Sequence, residues 1–182
     1  MYRSYNRLTV ILLFILQNFI TAGEKNMNST PFSLIISFSD NLEFTAALKN
    51  ISDSTYKVYH HKYAAPIELT IISEKGDKLP FYDKRKKMRY HFKPDLNSFQ
   101  TLSPQDSIIL NRKSFEKESD SLYLLNWDAF VFRSIKPGAY TVTAQWRSRI
   151  DSYYDSRRRE FVPVDKVWKG TVVSNTITIV LP

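Results

Sequence analysis

The chain has 182 residues, 43% of them hydrophobic and 14% aromatic, which excludes an intrinsically disordered protein, and its 4 glycines and 8 prolines exclude a collagen-like one. That length suits one domain able to bury about two-thirds of its unfolded surface. The formal charge is +8 and cysteine is absent, so stability must come from burial rather than cross-links, and the basic balance favours acidic protein, anionic glycan or anionic lipid as partners.

In residues 1–23, Arg3 and Arg7 precede the apolar run 8–16, followed by polar Gln17 and Asn18 and small Ala22 and Gly23. This is the layout of a secretory signal peptide, with cleavage expected after Ala22 or Gly23. The run is shorter than the roughly 20 residues that span a bilayer, so no transmembrane span is expected in the mature chain. The mature domain is then 24–182, with a formal charge of +6 once Arg3 and Arg7 are removed. A cysteine-free exported domain points to a periplasmic or secreted bacterial protein, in which the sequons at Asn28 and Asn50 carry no sugar.

Along the mature chain, 32–38 (FSLIISF) and 42–48 (LEFTAAL) read as a hairpin turning at Ser39, Asp40 and Asn41. In the second run Leu42, Phe44, Ala46 and Leu48 share one face, and Glu43, Thr45, Ala47 and Lys49 the other. TYKVY and IELTIIS follow, the latter ending in the turn Glu74-Lys75-Gly76-Asp77. An irregular basic region covers 79–107, after which SIILNRKSF and LYLLNWDAFVF resume strand character. Lys136-Pro137-Gly138 then turns the chain into AYTVTAQW. The closing strand, entered through Trp168 and Gly170, places Val172, Ser174, Thr176, Thr178 and Val180 on one face and Val173, Ile177, Ile179 and Leu181 on the other. No segment after the signal repeats apolar residues at helical spacing for three turns. The fold class is therefore all-β: an immunoglobulin-like β-sandwich of about seven to nine strands with two long basic loops.

Pro137 presets a turn, Gly138 permits positive φ, and Tyr140 begins an alternating strand, an arrangement that allows a tyrosine corner. Tyr140 would donate its hydroxyl to a backbone carbonyl, with Trp146 and Trp168 as core or core-edge aromatics. The succession FTAALKNISDSTYKV, EKGDKL, LSPQDSIIL and IKPGAYTVTAQW resembles the small immunoglobulin-like domains of the intracellular-proteinase-inhibitor type, over about residues 44–146. The resemblance implies a β-sandwich and, as one functional alternative, proteinase inhibition through an exposed rigid loop. The chain departs from it in the basic insert before Leu102, the tail from Arg147 and the export signal.

Residue patterns for chemistry are sparse. The nucleophile signatures G-x-S-x-G and S-x-x-K with its supporting elements are missing, as is a glycine-rich phosphate loop. Adjacent His60 and His61 would face opposite sides of a strand, so with His91 and Met88 they make an awkward copper or zinc site. No catalytic residue, metal or cofactor is expected. A hydrolase or metal enzyme assembled from distant strands stays open as an alternative, and would need a pocket in which His and carboxylate groups converge.

Two basic clusters stand out. YDKRKKMRYHFK gathers Lys84, Arg85, Lys86, Lys87 and Arg89 among Tyr82, Tyr90 and Phe92; WRSRIDSYYDSRRREF gathers Arg147, Arg149, Arg157, Arg158 and Arg159 with Tyr153 and Tyr154. Cations interleaved with aromatics grip anionic groups or serve as contact residues in protein interfaces, and Asp151 and Asp155 would neutralise part of the second cluster. The expectation is an exported, non-catalytic binding module that contacts protein through its loops. An anionic glycan or lipid head group is the second partner class, and no nucleic acid is expected. Candidate binding residues are Lys84, Arg85, Lys86, Lys87, Arg89, Tyr90, Arg157, Arg158 and Arg159, and candidate structural residues are Pro137, Gly138, Tyr140, Trp146, Trp168 and Gly170.

Overall fold

A computed structural model describes residues 30–61, 65–87 and 93–182. Residues 1–23, on which the signal peptide is expected, and Met88, Arg89, Tyr90 and His91 lie outside the described residues. Within them the chain is all-β, with short 3-10 turns at Lys84–Lys87 and Leu96–Ser98. Its strands are β1 (Phe32–Phe38), β2 (Glu43–Asn50), β3 (Tyr56–Tyr59), β4 (Ile67–Ser73), β5 (Tyr82–Asp83), β6 (Phe99–Leu102) and β7 (Ser107–Ser114). They continue as β8 (Glu116–Ser119), β9 (Leu122–Trp127), β10 (Phe130–Ile135), β11 (Gly138–Ser148), β12 (Ser152–Asp155), β13 (Glu160–Pro163), β14 (Gly170–Val173) and β15 (Ile177–Leu181).

The alternation of apolar residues in β1 and β2 has the effect it predicts. The two strands pair antiparallel from Phe32 opposite Asn50 to Phe38 opposite Phe44, and Phe44, Ala46 and Leu48 are buried. The turn closes through Leu42 at φ 59, its N–H donating to the Ser39 carbonyl at 3.0 Å. β7 pairs with the far side of β2, with a bulge that places Asn111 opposite Ala46 and Ile109 opposite Ala47. Beyond Phe115 the same stretch of chain becomes β8 and pairs with β9 instead, so it carries the backbone from one sheet into the next.

The apolar run LYLLNWDAFVF folds back on itself rather than forming one strand. Asp128, at φ 47, turns the chain so that Phe130 opposes Trp127, and its carboxylate accepts from the Ile67 N–H at 3.2 Å. Aspartate tolerates this left-handed conformation better than most residues, and here it also satisfies a strand-end donor.

The third sheet is centred on β11, with β4 along one side and β15 and β14 sharing the other. The closing stretch is therefore broken. Ile177 opposes Val142 and Val173 opposes Gln145, so Ser174, Asn175 and Thr176 face only two residues of β11. This one-residue bulge reverses the strand's phase. Val172, Ile179 and Leu181 are all buried while Val173 and Val180 are exposed, which corrects the face assignment read from unbroken alternation. Two residues of the bulge are tied down by hydrogen bonds. Ser174 exchanges two hydrogen bonds with the Ala144 backbone, and the Asn175 amide accepts from the Ile36 N–H at 2.9 Å and donates to its carbonyl at 3.1 Å.

Inner-face side chains from the three larger sheets meet in one apolar cluster that includes Phe32, Phe44, Trp127, Phe132, Trp146 and Ile179. Each such fully buried large side chain contributes about 1.5–3 kcal/mol. The two indoles at its heart are also satisfied as donors: Trp127 to the Ile67 carbonyl at 3.0 Å and Trp146 to the Ala65 carbonyl at 3.2 Å.

Candidate functional site

The first basic segment follows β5. There Asp83 caps the turn by accepting the Arg85 N–H at 2.9 Å, and its carboxylate takes the Arg85 guanidinium in a forked pair with the closest contact at 2.7 Å. Arg85's hydrogen bond holds the Asp83 carboxyl below the usual range, with the Coulomb attraction of Arg85 and Lys86 adding to it. The guanidinium also lies 5.0 Å over the buried Phe130 ring. Arg85 is thus a clamp between β5 and β10. Lys84 reaches the Asn126 side chain at 3.5 Å, Lys87 stands 5.5 Å over the Tyr82 ring, and Lys86 is exposed. Of the candidates in this segment, Lys86 and Lys87 project to solvent, whereas Arg89 and Tyr90 lie outside the described residues.

The second cluster is not a loop but a hairpin, β12 paired with β13 from Ser152 opposite Pro163 to Asp155 opposite Glu160. Arg157, Arg158 and Arg159 form its tip, where the Asp155 carboxylate accepts the backbone N–H groups of Arg157 and Arg158 at 2.8 and 3.2 Å. Arg159 takes φ 57, and Arg158 has weak ion pairs with Asp155 and Glu160 at 3.7 and 3.9 Å. All three arginines are exposed, and beside them Phe161 is 57% exposed, packed edge-on against Tyr154 at 5.3 Å. The hairpin is seated at Tyr154, whose N–H donates to the Pro94 carbonyl at 2.7 Å and whose ring lies 3.9 Å beneath the Lys93 ammonium. That seat is where the structure connects the two basic regions.

The candidate structural residues act locally. Gly138 adopts φ 142 after Pro137, and Tyr140 donates its hydroxyl to the Lys136 carbonyl at 2.8 Å, four residues upstream. Trp146 and Trp168 stack at 5.7 Å with 22° between their planes, and Trp168 meets Phe32 edge-on at 5.2 Å. A Cβ on Gly170 would lie 2.9 Å from Trp168 Cη2 and closer still to Cζ2. Only glycine lets β14 begin against that ring.

Two concavities went unsuspected in the sequence. A groove of about 290 Å³ lies over β4 and β11, with Glu68, Thr70, Lys78, Thr143 and Gln145 as polar lining and 43%-exposed Phe81 beside them. A more open depression of about 510 Å³ lies where β11 ends and β14 begins, lined by Arg147, Ser148, Arg149, Lys169, Gly170 and Thr171. Lys169 was hidden by its setting, a single cation between the conspicuous Trp168 and Gly170.

His60 is largely enclosed; burial, followed by the positive charge of His61, lowers its proton affinity against an opposing backbone hydrogen bond at Leu110. Among the described residues no three His, Asp or Glu side chains gather as metal ligands, and the groove over β4 contains a single carboxylate, Glu68. In comparisons with known proteins, no family model matches the chain and no curated protein matches it either.

Proposed function

We propose that the chain is an exported, non-catalytic binding module, built on an immunoglobulin-like β-sandwich, that contacts a protein partner through the β12–β13 hairpin. The observation that carries this reading is the hairpin tip, where exposed Arg157, Arg158 and Arg159 adjoin an exposed Phe161 braced by Tyr154. Arginine and aromatic side chains dominate the energetics of protein interfaces, and a paired, seated hairpin presents them with little ordering entropy left to lose. The immunoglobulin-like assignment is supported by the Tyr140 hydroxyl bond to Lys136 and by the alternation of β2 and β11. Export is supported by the layout of residues 1–23.

The test is a pull-down from native envelope and medium, comparing the wild type with a variant carrying Arg157→Ser, Arg158→Ser, Arg159→Ser and Phe161→Ser. A protein captured by the wild type and lost with the variant, at unchanged circular dichroism, is the expected result. A partner retained equally by both would remove the hairpin from the reading.

A further inference from the structure

We propose that the depression lined by Arg147, Arg149 and Lys169 is a binding site for a tetrahedral oxyanion, a sulfate or phosphate ester carried on a saccharide. The site is separate from the hairpin tip and stands whether or not the tip binds protein.

The backbone beneath it is rigid. Arg147 sits between Trp146 and Ser148, both buried, at the end of β11, where it opposes Thr171. Lys169 sits between Trp168 and Gly170. Trp168 is held by its stack on Trp146 and by its backbone N–H, which donates to the Lys57 carbonyl at 2.9 Å; Gly170 opposes Ser148 in the ladder. Arg147 leaves a core-backed strand, and Lys169 and Arg149 each directly adjoin the end of one, which limits how far the three cations can move apart, as a small anion requires of its site.

The side chains are partly oriented. Arg147 Nε donates to Thr171 Oγ1 at 3.2 Å, which sets the guanidinium plane and leaves its terminal nitrogens for an acceptor. Lys169 Nζ lies 2.6 Å from the Asp151 carboxylate, whose pKa that hydrogen bond lowers. Arg149, exposed on the same depression, takes part in none of the ion pairs found among the described residues. Three cations against one carboxylate leave a surplus of two positive charges. A single phosphate monoester, at about −1.5 to −2 at neutral pH, matches that surplus, whereas sulfate monoesters carry one negative charge each and match it in pairs along a saccharide chain.

The lining also selects the carrier. Arginine, serine, lysine, glycine and threonine make up the depression, with no aliphatic or aromatic side chain among them. A hydrated sugar ester suits such a surface, whereas an acyl chain would find nothing apolar to enter. Open to solvent rather than enclosed, it suits an extended, solvent-flanked chain better than a buried metabolite.

The experiment uses the protein processed from the full chain, titrated by calorimetry and amide NMR with inorganic phosphate, inorganic sulfate, a sulfated oligosaccharide, its desulfated parent, and vesicles containing an anionic phospholipid. The expected result is binding of the sulfated oligosaccharide, with shifts at Arg147, Arg149 and Thr171. That binding weakens several-fold as the Debye length shortens from about 30 Å at 0.01 M to about 8 Å at 0.15 M salt. At 0.15 M salt, replacement of Arg147, Arg149 and Lys169 by Gln should abolish it, while the same loss of charge at Arg157, Arg158 and Arg159 should leave it within about twofold, because no tip residue lines the depression and longer-range charge effects are screened. Arg149→Gln alone, which removes no ion pair, should still weaken binding measurably and guards against a misfolded triple variant. Equal loss in the depression and tip variants, equal binding of the desulfated parent, binding to vesicles alone, or no binding of any probe would each overturn the proposal.

Discussion

At the scale of single residues, Trp168 and Gly170 form a matched pair, one supplying bulk and the other the space for it. The indole covers Trp146 and Phe32, and the missing Cβ two residues later is the room it occupies. Gly170→Ala should therefore destabilise by about 1–3 kcal/mol through overpacking, while Trp168→Leu removes the obstacle along with the stack. In a double-mutant cycle by urea denaturation, the alanine should cost clearly less in the Trp168→Leu background. Additive losses would mean that the ring and the glycine do not meet. Sequence inspection marks both residues as special, since a Trp-x-Gly before a strand is conspicuous, but it cannot tell a stacking platform from a core-edge plug. Nor does it separate Arg85, clamped to Asp83 and Phe130, from exposed Lys86 and Lys87, because all three occur in one uninterrupted charge run.

At the scale of elements, period-two patterning is legible wherever the ladder is regular and fails where backbone geometry intervenes. β2 and β11 keep strict alternation over their length and bury the residues their pattern selects. β14 and β15 do not, because the bulge at Ser174, Asn175 and Thr176 shifts the phase by one. A hint lay in the composition, since unbroken alternation would have put Val172 on a face with Ser174, Thr176 and Thr178. The fold-back at Trp127-Asp128-Ala129-Phe130 was likewise masked, because Asn126 and Asp128 alone interrupt an otherwise apolar run and neither glycine nor proline marks the turn. Asn175 turns the bulge from a defect into a joint, satisfying both backbone groups of Ile36 at the β1 edge. Asn175→Ala should destabilise by about 1–3 kcal/mol, the penalty for stranding a partly buried donor and acceptor. It should also raise amide exchange at Ile36 selectively. Exchange that rises evenly across β1 and β2, or a stability unchanged within error, would assign the joint to the neighbouring ladder instead.

At the scale of the whole molecule, the distribution of perturbed groups determines how stability responds to acid. Asp83 and Asp151 have carboxyl pKa values lowered by hydrogen bonds from Arg85 and Lys169, so what they contribute is present above the ordinary value of 3.8 and is lost only as pH falls below it. His60 works in a different window. Burial first, and then the charge of His61, puts its folded pKa below the ordinary value of 6.5, while the unfolded chain takes up the proton near 6.5. As pH falls from about 6.5 towards the folded value, the unfolded state binds more protons than the folded one, and the free energy of unfolding declines with a limiting slope of about 1.4 kcal/mol per pH unit. Among the described residues the Nε2 atom has no hydrogen-bond partner to offset its enclosure, and the His60 backbone N–H is bonded to the Ser98 carbonyl at 3.2 Å, which keeps the residue in place as it titrates. His60→Gln removes the titrating group while keeping a polar side chain of similar reach. Urea midpoints measured between about pH 7.5 and about pH 5, a range that brackets the ordinary histidine value, should fall for the wild type and stay nearly level for the variant, the difference between the two curves isolating His60 from His61 and His91. Parallel curves would mean that the imidazole is protonated in the folded protein as readily as in the unfolded chain, and that the enclosure beside Leu110 opens to water before the fold gives way.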